Sequence, residues 1–239
     1  MHRAHLIVTA SILALTACAA PTEVEEGEES VTDAVSGVTV DGGAGDLRVT
    51  GSSTATGAEL RWRMTWSNER PTLTQAQQDG VWVIRTDCPI QLVCLIDLDL
   101  TVPAAVDAVL AVGSGDTVVR DLSGRVDLSA GSGDMLLDAL SGQAHVDIGS
   151  GDLTGTALVA PLTVLVGSGD LDLAFDAPAE VDLAAGSGDI GLTVPAGAYA
   201  VSVETGSGDV SVSGIEDTAG GVALIVQTGS GDVTIGATP

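Results

Sequence analysis

The chain has no lysine, and its 8 basic residues are all Arg, set against 33 Asp and Glu for a formal net charge of −25 over 239 residues. Nucleic-acid binding needs a basic patch that displaces counterions from phosphate, so this balance sets nucleic acid aside as a partner. Aromatic residues are scarce, at 2% of the chain with one Tyr and one Phe. Extended sugar clefts lean on such rings, so a saccharide-degrading groove is not expected either. Histidine is nearly absent: two of the three lie within the first five residues, leaving His145 alone further on. Without Lys, and with no nucleophile identifiable beside His145, Schiff-base, Cys–His and Ser–His–Asp chemistry all lack parts. The catalytic device that remains open is a pair of carboxylates on outward strand faces, for which Asp127, Asp147 and Asp182 are available. What is plentiful is aliphatic: 45% of residues are hydrophobic and 31 are Gly, so the chain folds despite its charge.

Residues 1–17 have the proportions of a signal peptide. Arg3 gives a short positive start, and Leu6 to Ala17 is an apolar stretch too short to span about 30 Å of hydrocarbon as a helix. The stretch ends in Leu15-Thr16-Ala17-Cys18, which resembles the lipobox of bacterial lipoproteins. That resemblance implies cleavage before Cys18 and a lipid on its sulfur, and hence a membrane as partner through an anchor. Removing residues 1–17 takes away Arg3 and no acid, so −25 becomes −26. Residues 18–33 then carry five Glu (Glu23, Glu25, Glu26, Glu28, Glu29) and read as a solvated, self-repelling tether that holds the body off the membrane.

With Cys18 assigned to lipid, Cys88 and Cys94 remain. In an exported chain they are expected to pair, although residues six apart on a strand lie about 20 Å apart, so CPIQLVC must turn. Such a ring contributes about 2 kcal/mol in the loop-entropy picture. A zinc pair is the weaker reading, because no further ligands stand nearby.

The strongest signal is a repeat. Gly-Ser-Gly-Asp begins at Gly113, Gly131, Gly149, Gly167, Gly186, Gly206 and Gly229, with Gly43-Ala44-Gly45-Asp46 upstream, and the seven full copies are spaced 18, 18, 18, 19, 20 and 23 residues apart. Aliphatic residues alternate with others on both sides of each copy: Leu128 and Ala130 before, Met135 and Leu137 after. That period of two places a half-buried strand on each flank of a fixed turn. Length variation is confined to the second turn of each unit, where Pro103, Pro161, Pro178 and Pro195 fall without breaking a ladder. Units that cannot bury their apolar faces alone must stack. The expected fold is all-β, a parallel β-solenoid with coils of about 18–23 residues, preferably a right-handed β-helix. A left-handed hexapeptide helix and a two-sheet sandwich of hairpins are its rivals.

Stacking brings Asp46, Asp116, Asp134, Asp152, Asp170, Asp189, Asp209 and Asp232 into one column, each about 4.8 Å from the next. Adjacent carboxylates there repel by roughly 0.9 kcal/mol in water. A charge-assisted bond to a turn N–H contributes about 1.5–3 kcal/mol, so the column stands without an ion. Calcium along the column is the competing reading. Against it, known calcium solenoids carry twice this density of Gly and Asp, and the ion asks for six to eight oxygens. No cofactor and no metal are expected.

Residues 34–100 differ from the repeats at 101–239. They hold Trp62, Trp66 and Trp82, and five of the seven Arg that follow Arg3. Asp79-Gly80 between TLTQAQQ and VWVIRT marks a hairpin. Trp62, Met64 and Trp66 share one strand face, with Arg61 and Arg63 on the other. The preferred reading is a cap over the open end of the solenoid. The functional alternative is a binding face made of Trp62, Trp66, Trp82, Arg61 and Arg63.

The run DLDLTVPAAVDAVLAVGSGDTVVRDLSGRVDLSAGSGD (residues 97–134), and its recurrence over about residues 34–239, resembles a bacterial adhesin-like family of β-strand repeats. The resemblance implies a β-helix-like fold at the cell surface and carries no catalytic or ligand residues to transfer. The expectation is therefore a non-enzymatic, lipid-anchored protein on the extracytoplasmic face of the cell membrane, acting as an adhesin-like binding or scaffold module toward an unnamed envelope or extracellular partner. A calcium-binding repeat protein and a carbohydrate-active enzyme are the alternatives.

Overall fold

The computed structural model describes residues 22–238; the expected signal peptide (1–17) and Cys18 lie outside the described residues. Among the described residues there are twenty-two strands and no helix. The N-terminal strands are β1 (Glu23–Val31), β2 (Gly37–Ala44), β3 (Leu47–Ser52), β4 (Ala58–Trp66), β5 (Thr72–Gln78), β6 (Val81–Asp87) and β7 (Cys94–Pro103). The repeats give β8 (Asp107–Ser114), β9 (Thr117–Arg120), β10 (Val126–Ser132), β11 (Met135–Asp138), β12 (Ala144–Ser150), β13 (Leu153–Leu158), β14 (Leu162–Ser168), β15 (Leu171–Phe175), β16 (Val181–Ser187) and β17 (Ile190–Pro195). The chain ends with β18 (Ala198–Thr205), β19 (Val210–Ser213), β20 (Glu216–Asp217), β21 (Val222–Thr228) and β22 (Val233–Thr238).

Each coil contributes one strand to each of two sheets. The first sheet runs β1-β4-β7-β3-β9-β11-β13-β15-β17-β22-β19, the second β20-β18-β21-β16-β14-β12-β10-β8-β2-β6-β5. Repeat strands pair in parallel and in register, as in Leu128↔Val146 and Val146↔Val164, with one shift between β13 and β15 after Gly155. The alternation read from the sequence is thus the inward stripe of each strand: Leu128, Val146, Val164 and Leu183 are all buried. Burying one such side chain contributes about 1.5–3 kcal/mol, and one column of them per strand position builds a single core between the sheets. The fold is a two-faced β-solenoid rather than a sandwich of hairpins, because consecutive repeat strands lie in opposite sheets.

The tetrapeptide turns the chain from the second sheet to the first, and two constraints fix its glycines. At Gly133 φ is 122°, and a Cβ there would stand 2.1 Å from the carbonyl oxygen of Gly115 in the coil below. Gly131 has no positive φ, yet its Cβ would stand 2.4 Å from the oxygen of Gly113. Close stacking excludes a side chain at both, and backbone conformation excludes one again at the second.

Two features depart from the expectation of a simple sequential stack on a free tether. First, residues 23–31 are no tether: β1 pairs antiparallel with β4 along its whole length. Arg residues neutralise three of its five Glu, through Arg61–Glu28 at 3.6 Å, Arg63–Glu26 at 3.6 Å and a two-pronged Arg70–Glu25 contact at 2.6 and 2.8 Å. Gly27 leaves room for the Trp62 ring above it. Second, the last coil in sequence, β21–β22, lies inside the one before it, β18–β19. The larger Leu224 and Ile235 are thereby buried, while Val210 and Val212, at 47% and 43% exposure, occupy the open end. The chain between β19 and β21 is long enough to cross back.

Candidate functional site

The Asp column forms in full. Asp134 donates its N–H to Asp116 Oδ1 at 3.1 Å, Asp152 to Asp134 at 3.1 Å, and Asp170 to Asp152 at 2.8 Å. Asp116 donates to Asp46 and Asp189 to Asp170 in the same way. Because of the exchanged final coils, Asp232 follows Asp189 and Asp209 comes last, each bond being 2.8 Å. At the other end Asp46 donates to Asp97 Oδ1 at 3.1 Å. Asp97 has no tetrapeptide before it and was missed in the sequence. Its signal is its place one residue before the inward Leu98, which pairs with Leu47. One carboxylate oxygen of every acceptor thus holds a turn N–H, and among the described residues no three Asp, Glu, His or Cys side chains gather where a metal ion would need them. The column is a backbone cap, carried by charge-assisted bonds.

The cap end holds the chain's Arg cluster. Outward residues of β1, β4, β7, β3 and β9 line a groove of about 760 Å³. Register sets one row as Glu28, Arg61, Asp99, Arg48 and a second as Glu26, Arg63, Asp97. Charges therefore alternate across strands, the arrangement that cross-strand pairing favours. Arg48 stands 3.9 Å from Asp99. The ion-paired side chains among these are about half exposed or more (Arg61 at 68%, Glu26 at 71%), so each pair contributes at most about 1 kcal/mol to folding and stays available to a ligand. Six carboxylates (Glu26, Glu28, Asp46, Asp97, Asp99, Asp116) face three guanidinium groups around the groove, so it is no anion site. Nor is it a glycosidase acid's surroundings, which are apolar and closed; here solvent and guanidinium surround the carboxylates.

The Trp residues do not assemble into one face. Trp66 and Trp82 are core, at 5% and 1% exposure, and Trp82 donates its indole N–H to Gln75 at 3.2 Å. Trp62 is half-buried, its ring packed over Gly27 on the face it shares with Met64 and opposite Arg61 and Arg63, and its Nε1 finds no acceptor among the described residues. The preferred cap reading fits Trp66 and Trp82, which fill the core under the antiparallel strands, whereas the alternative of one five-residue binding face is corrected: Trp62 lies on the opposite face of its strand, and of the five only Arg61 and Arg63 point into the groove. Arg48, Glu26 and Glu28 join them through pairings that cross tens of residues.

Cys88 and Cys94 are joined, with Cα atoms 5.9 Å apart. Their loop turns the outermost coil, β6 to β7, at the corner where the other coils carry Gly-Ser-Gly-Asp. Asp79-Gly80 forms the β5–β6 hairpin with both φ angles positive, at 52° and 82°.

A sequence model of the family described as Toastrack DUF4097 matches residues 96–236. A comparison with curated proteins found no match. Among solved structures the chain is similar to a candidate cell adhesion protein from Clostridium sporogenes, at 12% identity and TM-score 0.41, covering 90% of this chain and 100% of that one. A candidate adhesin from Bacteroides fragilis shares 10% identity at TM-score 0.38, over 90% of this chain and 97% of its own. A candidate lipid binding protein from Parabacteroides distasonis shares 10% identity at TM-score 0.29, with 90% and 97% covered.

Proposed function

This chain belongs to the Toastrack DUF4097 family, and from that premise we propose that it is a non-enzymatic, adhesin-like envelope protein that binds through the charged groove of its N-terminal cap. The observation that carries the reading is the placement of Arg48, Arg61 and Arg63 on one outward face of a chain with 8 basic residues in all. Elsewhere the exterior is acidic: residues 101–239 carry 19 Asp and Glu against Arg120 and Arg125. A groove of alternating, loosely paired guanidinium and carboxylate groups offers fork-shaped donors beside acceptors. That chemistry suits a ligand rich in hydroxyl groups or of mixed charge. The signal-like residues 1–17 and the lipobox-like end at Cys18 support export and a lipid anchor on the extracytoplasmic face. A right-handed coil is the expected hand, since parallel strands joined by a crossover in one sheet are right-handed almost without exception.

The test replaces Arg48, Arg61 and Arg63 together by Ala and measures binding of the purified protein to envelope and extracellular material from its own host. A loss of about tenfold or more is expected, since several hydrogen bonds to charged groups go at once. The pair Arg120→Ala/Arg125→Ala, outside the groove, should leave binding unchanged. Equal binding by the triple variant removes the groove from the account.

A further inference from the structure

The loop between Cys88 and Cys94 presents large aliphatic side chains to solvent. Ile90 is 107% exposed and Leu92 84%. The side chain between them points the other way: Gln91 accepts from the N–H groups of Asn68 and Glu69 at 2.8 and 3.0 Å and donates to the Glu69 carbonyl at 2.8 Å. Ser67 and Val93 add a backbone bond at 3.1 Å. A disulfide and a bracing glutamine therefore hold the loop in a form that keeps Ile90 and Leu92 out of the core. Folding gains nothing from their exposure, and no charged residue lies between Asp87 and Asp97. The outward face beside the loop is apolar too, since Leu95 (44% exposed) pairs through Thr65 with Val24 (51%). Four of the ten exposed large aliphatic residues among those described thus gather at one corner, the pattern of a contact surface rather than of scattered exposure.

The start of the chain lies at the same corner. Glu23 pairs with Trp66, and Trp66 with Cys94, so the first strand begins two strand spacings, about 10 Å, from the loop. Glu25 is clasped there by Arg70. Docking of β1 also shortens the leash. A free tether from Cys18 to Asp33 would reach about 50 Å, whereas Cys18 stands four positions before Thr22 and is held within about 14 Å of it.

We propose that Ile90, Leu92, Leu95 and Val24 form a second membrane contact, dipping into the lipid interface beside the anchor at Cys18. The inference rests on the lipid-anchored reading above and extends it: it fixes which end of the solenoid faces the bilayer and brings the body to the membrane surface. One anchor makes the apolar corner's contact effectively intramolecular, so two or three aliphatic side chains suffice to hold it there. The neighbouring Asp87, Glu69 and Glu23 select for a zwitterionic rather than an anionic surface.

The experiment uses the mature chain, residues 18–239, whose one thiol outside the disulfide is Cys18. Cys18 is coupled to a maleimide-bearing phosphatidylethanolamine in phosphatidylcholine vesicles containing a phosphatidylcholine with a diazirine in its acyl chain. After illumination, peptide mapping should find the lipid label concentrated on residues 88–95. Ile90→Ser/Leu92→Ser, which alters no buried atom, should lower that label about tenfold with the far-ultraviolet spectrum unchanged. Label spread over the repeats, missing from 88–95, or unchanged in the variant overturns the inference. The mass of the N-terminal peptide from protein taken from its own host's membranes separates the two readings. An acylated Cys18 with an unlabelled loop overturns the loop contact alone, whereas an unmodified Cys18 overturns the anchor and the contact with it.

Discussion

Replacing Gly133 by Ala tests the stacking of the coils most severely for one methyl group. At φ 122° an L-residue is strained by about 1–3 kcal/mol. The new Cβ would lie 2.1 Å from the carbonyl oxygen of Gly115, a backbone atom that moves only with its coil. Relief by a shift of the turn lengthens two bonds, Gly133 N–H to Ser150 O at 3.1 Å and Asp134 N–H to Asp116 Oδ1 at 3.1 Å. At about 1 kcal/mol each, these bring the expected loss to roughly 3–5 kcal/mol. Gly131→Ala keeps an ordinary φ and meets Gly113 at 2.4 Å, so it should lose about 2 kcal/mol. Gly43→Ala meets nothing within 4 Å and should change stability by less than about 0.5 kcal/mol, in the stabilising direction if at all. Urea unfolding of the three variants, followed by circular dichroism, gives the order directly. If Gly133→Ala and Gly43→Ala unfold at the same urea concentration, close stacking is not what holds the tetrapeptide to glycine.

Three further outcomes follow from the same geometry. Asp152→Asn keeps an acceptor for the Asp170 N–H and removes a charge from the column, so it should be neutral or stabilising, whereas Asp152→Ala leaves that N–H unpaired and should lose about 1 kcal/mol; equal effects in urea melts would deny the column its capping role. Thr117 is 1% exposed and its hydroxyl has no partner among the described residues, so Thr117→Val should gain about 1–2 kcal/mol in the same melts, and a loss would show that the hydroxyl is satisfied. The Arg70 hydrogen bond holds the Glu25 carboxyl below its ordinary value of 4.5. Its stabilisation is therefore present above that pH and lost as pH falls through the lower folded value, so wild type should melt above Arg70→Gln at pH 7 and the gap should close in acid; a gap that widens in acid contradicts the pairing.

Much of this architecture was legible in the sequence because it is local. Alternation around each Gly-Ser-Gly-Asp named the inward residues, and the fixed spacing put Asp134 over Asp116. Asp79-Gly80 marked its hairpin, and the spacing of Cys88 and Cys94 demanded the turn they close. What stayed hidden depends on partners far along the chain. Five Glu within residues 23–29 read as self-repelling until Arg61, Arg63 and Arg70 are set beside them. Parity placed Trp62, Met64 and Trp66 on one face but could not say that Trp66 is sealed and Trp62 left at the rim. The exchange of the final coils is a choice between aliphatic stripes of similar pattern, decided by the larger Leu224 and Ile235 against Val201 and Val212. Nothing local in CPIQLVC reveals that Gln91 is the residue that turns inward while Ile90 and Leu92 face solvent.

Hydrogen exchange on the intact protein, free and bound to envelope material from its host, tests the central claim most directly. The account predicts slowed exchange confined to the cap, at residues 26–28, 46–48, 61–63 and 97–99, with the repeats from 107 onward unchanged. Protection that instead follows the acidic faces of the repeats, or the open end at Val210 and Val212, would place recognition elsewhere and contradict it.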